Sequence, residues 1–205
     1  LFKLTASDAA AGDQFGFSVA ISGNIAIVGA HLDNDAATDS GSAYLFNVTT
    51  GGNHLFKLAP SDAAAFDNFG FSVAISGNIA IVGAPEDDDA GNASGSAYLF
   101  DVTTGTQLFK LTAAFDAAAG DNFGNSVAIS GNIAIVGARF DGNRTGSAYL
   151  FDVTTGNQLF KLTADDAAAN DRFGISVAIS GNIAIVGAFL DDDAGSASGS
   201  AYLFD

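Results

Sequence analysis

Ser18-Val19-Ala20-Ile21-Ser22-Gly23-Asn24-Ile25-Ala26-Ile27-Val28-Gly29-Ala30 returns unchanged at Ser72, Ser126 and Ser176. Successive side chains of an extended segment face opposite sides. Ile25 and Ile27 therefore share one face, and Ala26, Val28 and Ala30 the other. Neither face suits water, which predicts a sheet covered on both sides. The segment before it sets Val19 and Ile21 against Ser18, Ala20 and Ser22. Such small residues fit where sheets converge, so this strand is predicted to be innermost. Gly23-Asn24 joins the two as a tight hairpin, because both residues tolerate positive φ.

The same register extends outward. Leu-Phe-Lys-Leu begins at Leu1, Leu55, Leu108 and Leu159, with spacings of 54, 53 and 51 residues. Phe-Gly recurs at Phe15-Gly16, Phe69-Gly70, Phe123-Gly124 and Phe173-Gly174, and Gly-Ser-Ala-Tyr-Leu-Phe begins at Gly41, Gly95, Gly146 and Gly199. One domain of four repeats results, approximately residues 1–54, 55–107, 108–158 and 159–205, with no linker. The first repeat predicts strands at Ser18–Ser22, Ile25–Ala30, Ser42–Val48 and Leu55–Leu58. Thr49-Thr50-Gly51 and its equivalents, Thr103-Thr104-Gly105 and Thr154-Thr155-Gly156, predict a turn between the last two with glycine in the left-handed region. Lys3, Lys57, Lys110 and Lys161 interrupt the apolar fourth strand, as a lysine guarding an exposed sheet edge does. That strand is predicted to be outermost.

Sheets covered on both faces, running from a small-residue inner strand to a charged outer one, predict an all-β propeller of four four-stranded antiparallel blades. The chain begins on a fourth strand and ends, at Asp205, after a third. Leu1–Leu4 is therefore expected to close the last blade against Ser200–Phe204. The rival is pairing of Leu1–Leu4 with another copy of the chain, giving a dimeric ring or a fibre.

Composition limits the partners. Seven basic residues stand against 23 acidic ones, for a net charge of −16, which argues against nucleic acid or an anionic membrane. No apolar run is long enough to predict membrane insertion. The chain opens on Leu1 rather than on a signal peptide, which reads as a mature or excised product. Without cysteine there are no disulfides, thiolate metal sites or thiol catalysis.

Phe-Gly followed by Gly-Ala, with Gly83-Ala84-Pro85 spelling the element in full, resembles the FG-GAP repeat of integrin α-subunit propellers and bacterial surface proteins. The resemblance implies a four-stranded blade, a secreted or cell-surface setting, and adhesion or binding of a protein or glycan rather than catalysis. The integrin calcium loop lies in the hairpin between the first two strands. Here that hairpin is only Ser-Gly-Asn, so those ligands do not carry over. The third and fourth repeats also replace the proline by Arg139 and Phe189.

Candidate ligands sit instead in the acidic loops between strands two and three, His31–Ser40, Pro85–Ser94, Arg139–Thr145 and Phe189–Ser198. Asp33, Asp35 and Asp39, then Asp87, Asp88 and Asp89, then Asp191, Asp192 and Asp193 offer the hard oxygen ligands that Ca²⁺ takes; the third loop has only Asp141. Solvated charge that keeps an apolar chain soluble accounts for them equally well. Asp13, Asp67, Asp121 and Asp171, two residues before each Phe-Gly glycine's phenylalanine, are expected to accept backbone N–H bonds. His31 and His54 occur at unmatched positions, which gives no support for an enzyme. Phe66, Phe115, Phe140 and Phe189 break otherwise polar or small-residue loops, the feature that favours the alternative of a calcium-stabilised, lectin-like propeller.

Overall fold

A computed structural model describes residues 2–49, 51–114 and 116–205. Leu1, Thr50 and Phe115, each named above, lie outside the described residues. The repeat becomes a blade as its pattern dictates. In the first, β1 (Ser18–Ser22), β2 (Ile25–Ala30), β3 (Ser42–Asn47) and β4 (Asn53–Leu58) form an antiparallel sheet in sequence order. Gly23 turns the first hairpin at φ 55°. The fourth strand starts two residues earlier than its apolar core suggests and absorbs a register shift between Leu45 and Phe46. The second blade is β5 (Ser72–Ser76), β6 (Ile79–Ala84), β7 (Ser96–Asp101) and β8 (Thr106–Leu111). The third is β9 (Phe123–Ser130), β10 (Ile133–Ala138), β11 (Ser147–Asp152) and β12 (Gln158–Leu162).

The fourth blade has three strands, β13 (Phe173–Ser180), β14 (Ile183–Ala188) and β15 (Ser200–Phe204). The expected closure of this sheet by the N-terminal strand does not appear among the described residues. Phe2 to Leu4 lie instead on the first blade, where Leu4 and Ala6 pack on Val28, Tyr44 and Phe46. Leu4 and Phe2 also sit beside Gly52.

Blades pack face to face in one direction. Ile27, Leu45 and Leu58 of the first press on Val82, Tyr98 and Phe100 of the second. Ile81, Leu99 and Leu111 repeat this on Val136, Tyr149 and Phe151, and Ile135 repeats it on Val186 with Tyr202 and Phe204. The phenylalanine of each Phe-Gly pair is the wedge. Phe69, Phe123 and Phe173 are fully buried, with rings 5.5–5.9 Å from the tyrosine and phenylalanine of the third strand. Inner strands touch in the order β1, β5, β9, β13, and β13 has no comparable packing on β1.

The blades thus form an open arc, and its two ends show it. Ile81 and Ile135 are fully buried, whereas Ile185, their counterpart, is 42% exposed and Leu203 is 71% exposed. At the other end Val19 is 68% and Ile21 64% exposed, while Ile75 is 8%. The inner-to-outer strand order agrees with the sequence reading. The angle between blades, which decides closure, comes from how these side chains interdigitate and is invisible to strand periodicity.

Candidate functional site

Each complete blade ties its loops together with one lysine. Tyr44 on β3 and Lys57 on β4 are cross-strand neighbours, so both side chains leave the same face. The Lys57 ammonium meets Asp8 at 2.7 Å, Asp33 at 3.1 Å and Asp35. The Tyr44 hydroxyl donates to Asp33 at 2.6 Å and to Asp8 at 2.9 Å. The second blade repeats the arrangement, with Lys110 on Asp62 (2.7 Å), Asp87 (3.0 Å) and Asp89, and the Tyr98 hydroxyl on Asp87 (2.7 Å). In the third, Lys161 pairs with Asp116 and with Asp141 at 2.6 Å. Asp33, Asp87 and Asp141 are buried, whereas Asp35 is exposed.

Burial opposes the Lys57 and Lys110 charges, but the carboxylates around them win and hold both above the ordinary lysine range. Asp62 is likewise held below the ordinary carboxylate value, its burial outweighed by the hydrogen bond and charge of Lys110. Burial first, and the adjoining carboxylate next, push the tyrosine hydroxyls of the first two blades up, so they stay protonated and donate to the carboxylates.

The acidic loops therefore divide. Asp33 with Asp35 and Asp87 with Asp89 come together, each pair joined by a carboxylate that the loop spacing did not single out, Asp8 or Asp62. Asp39 and Asp88 stand apart. The Asp39 N–H donates to Asn34, and the Asp88 carboxylate accepts from the Ala93 N–H. The Lys57 and Lys110 ammonium groups lie among the carboxylates of the first two clusters and offset part of their charge, as Lys161 does for Asp116 and Asp141. The reading of these lysines as simple edge guards is corrected: they sit on the outer strand, but their charge faces the carboxylates.

In the fourth blade Asp166, Asp191 and Asp193 bring carboxylate oxygens within 4.8 Å of one another. The Tyr202 hydroxyl donates to Asp191 at 2.6 Å and to Asp166 at 2.8 Å. Among the described residues no ammonium reaches them, because the strand that carries it elsewhere is missing. The Asp191 charge, and then Asp166, push Asp193 above the ordinary carboxylate value. Asp192 lies outside this group.

Asp13, Asp67, Asp121 and Asp171 accept the N–H of the residue three before them, at 2.6–2.7 Å, as expected of a structural turn. Burial, only partly offset by that N–H and reinforced by Asp87, pushes Asp67 up to about 6. His31 packs against Phe17 and Phe71, whose rings also touch each other, and burial lowers its pKa. Of the loop aromatics, Phe66 is 58% and Phe189 47% exposed, whereas Phe140 is contacted by Arg139, Arg144 and Arg172.

These features coincide with the family comparison. The chain matches the FG-GAP repeat over residues 2–46, 54–100, 106–151 and 157–204. Among solved structures it is similar to Kuenenia stuttgartiensis hydrazine synthase, with a TM-score of 0.62 at 14% identity over 98% of this chain. The chain spans about half of that neighbour's length, 49%, and a likeness at this identity is one of fold alone. No curated protein matches. Among the described residues no helix is long and apolar enough to cross a membrane.

Proposed function

Because this chain belongs to the FG-GAP repeat family, we propose that it is a non-catalytic, secreted or surface-displayed scaffold that binds protein through its open blade faces and strand edge. The observation that carries this reading is an interface repeated three times inside the chain and left half-made at both ends. Ser18, Ser72 and Ser126 donate to the carbonyls of Gly70, Gly124 and Gly174 in the next blade, at 2.7–2.8 Å. Ser176 makes no such bond among the described residues. Gly16, which opens the first blade as Gly70 opens the second, accepts no such bond either.

The partner that fits is a blade of the same kind, and a second copy supplies it head to tail. In the first blade Ala43 faces Leu58, Tyr44 faces Lys57 and Leu45 faces Phe56. By that register Ala201, Tyr202 and Leu203 of one copy would face Leu4, Lys3 and Phe2 of the next. Lys3 would then supply the missing ammonium to Asp166, Asp191 and Asp193. Two copies give eight blades, within the usual range of about 4–8.

Gly187→Ala tests this directly. A β-carbon at Gly29, Gly83 or Gly137 would clash with the carbonyl of Gly70, Gly124 or Gly174, while at Gly187 no backbone of a further blade stands in the way. The variant should keep its fold, since within the chain its methyl meets only the rotatable Ser176 hydroxyl at close range, but lose self-association and whatever thermal stability association adds, because the methyl would meet Gly16 of the second copy. Sedimentation should give wild type twice the 20.5 kDa of one chain at micromolar concentration and the variant a single chain. A wild-type protein that stays single at every concentration removes self-assembly from the proposal.

A second reading, a calcium-stabilised glycan-binding propeller, is favoured by one feature, the fourth-blade triad without its ammonium. Its carboxylates are hard oxygen donors of the kind Ca²⁺ takes, with water completing the shell. Exposed Phe189 lies in the same loop. Calorimetry after chelation should then show one Ca²⁺ per chain, abolished in Asp191→Asn. Absence of both heat and thermal shift eliminates this reading.

A further inference from the structure

We infer that the Phe140 loop of the third blade is a binding site for a compact oxyanion, a carboxylate, sulfate or phosphate group, held by Arg139, Arg144 and Arg172. These are all the arginines of the chain, and they converge on one ring. Their guanidinium carbons lie 4.6, 5.4 and 5.1 Å from the centre of Phe140. Arg172 is also 5.6 Å from the ring of Phe189.

Among the described residues none of the three forms a salt bridge, although the chain has 23 acidic residues and Lys57, Lys110 and Lys161 are each paired with at least two of them. Arg139 uses its side chain once, donating to Asn122 Oδ1 at 3.1 Å. The Nε atoms of Arg139 and Arg172 are buried without a hydrogen-bond partner. Burial, and then the neighbouring Arg172 charge, lower the Arg139 pKa; Glu86 is the acidic group that opposes this, without reaching ion-pair distance. A group of like charges held together with donors unspent is an arrangement that an anion relieves.

The repeat isolates these residues further. Arg139 stands where the other blades have His31, Pro85 and Phe189, and Arg172 where they have Gln14, Asn68 and Asn122. A side chain that serves the blade recurs in every blade; these do not. The Arg139–Thr145 loop is also the shortest of its kind. It closes through left-handed residues Gly142, Asn143 and Arg144, and leaves a groove of about 830 Å³ on its second-blade side, lined by Arg139, Arg144 and Phe140 and also by Glu86, Asp121 and Asp141, the last already paired with Lys161; Arg172 stands outside the groove, across the Phe140 ring. This volume is in the range of small-ligand pockets.

Guanidinium presents planar paired donors that match an oxyanion. The net charge of −16 repels polyanions at distances up to about a Debye length. A single compact group is thus favoured over an extended anionic chain. The site does not depend on the open faces and would stand if self-assembly failed.

Calorimetric titration of the whole chain with sodium sulfate, sodium phosphate and sodium acetate, in low-salt buffer, tests it. Saturable binding of at least one anion at one site per chain is expected, and the preferred anion identifies the group recognised. Arg144 is exposed and makes no side-chain hydrogen bond among the described residues, so Arg144→Ala should retain the wild-type melting temperature while weakening binding at least about tenfold. Arg172→Gln, which keeps most of the side-chain volume, should weaken it similarly. The inference is overturned if no anion binds saturably, or if binding persists unchanged in both variants.

Discussion

Gly83→Ala should lower the melting temperature by about 6–12 °C, the equivalent of about 3 kcal/mol or more in a domain of this size. Gly83 is in β6 with ordinary strand backbone, so no conformational strain is involved. A β-carbon there would fall far inside van der Waals contact of the Gly124 carbonyl, and close to Ser72 Oγ. The carbonyl belongs to the start of β9, the inner strand of the next blade, and is held on its other side: Gly124 would itself clash with Ser96 O if it gained a side chain, and its φ is 90°. Two strands of one blade and the start of the next blade's inner strand meet at a point that tolerates only hydrogen. Overpacking commonly costs about 1–3 kcal/mol, and the upper end applies when the opposing atom is backbone. Ser72 would also lose its 2.8 Å bond to that carbonyl. Differential scanning calorimetry of Gly83→Ala beside Gly187→Ala isolates the contribution, since the two sites share local sequence and differ in whether a blade follows. Equal melting temperatures for the two would refute this account of blade spacing.

That contrast also marks where the sequence was informative. The Gly-Asn hairpin and the two-faced burial of the Ile-Ala-Ile-Val strand are local properties that recur, so four copies made them legible. The acidic loops were found, but their partners were not. Asp8 and Asp62 approach Asp33 and Asp87 only because the segment entering a blade crosses over its third strand. Their recurrence four residues beyond Leu-Phe-Lys-Leu, at Asp8, Asp62 and Asp166, was the available signal, together with a lysine in an otherwise apolar strand. Closure was misjudged for a different reason: Leu1–Leu4 has the right residues for an edge strand, yet which edge it reaches depends on inter-blade angles accumulated over the whole chain. The arginine site breaks the repeat, and a search guided by recurrence passes over such residues.

Lys110→Met should destabilise the fold by about 2–4 kcal/mol at pH 7 and reverse its response to acid. Removing one partner of a buried ion pair commonly costs about 3–5 kcal/mol, trimmed here because the side chains of Asp62 and Asp89 are 41% and 58% exposed. Methionine keeps the apolar stem that lies 5.2 Å from Tyr98 at its charged end, so the loss reports the charge. In wild type the Asp62 pKa is depressed and the Lys110 pKa raised. The depressed carboxylate contributes stability above its unfolded value, near 3.8, and loses it as pH falls through the folded one. The raised lysine contributes below its unfolded value, near 10.5, and loses it as pH rises through the folded one. The tie is therefore complete between about pH 5 and pH 9. Without the ammonium, Asp62, Asp87 and Asp89 confront one another with only the Tyr98 hydroxyl and the Asp89 N–H donating into the cluster, and their mutual repulsion disfavours the charged forms in the folded state. Stability contributed by such groups is present at low pH and lost as pH rises. Urea unfolding at pH 7 and pH 3 should show wild type losing stability on acidification at this site while the variant gains it. Asp87→Asn placed on Lys110→Met should recover part of the loss at pH 7, since it removes the most buried of the three charges. Parallel pH profiles for wild type and Lys110→Met would show that the lysine guards an edge and nothing more.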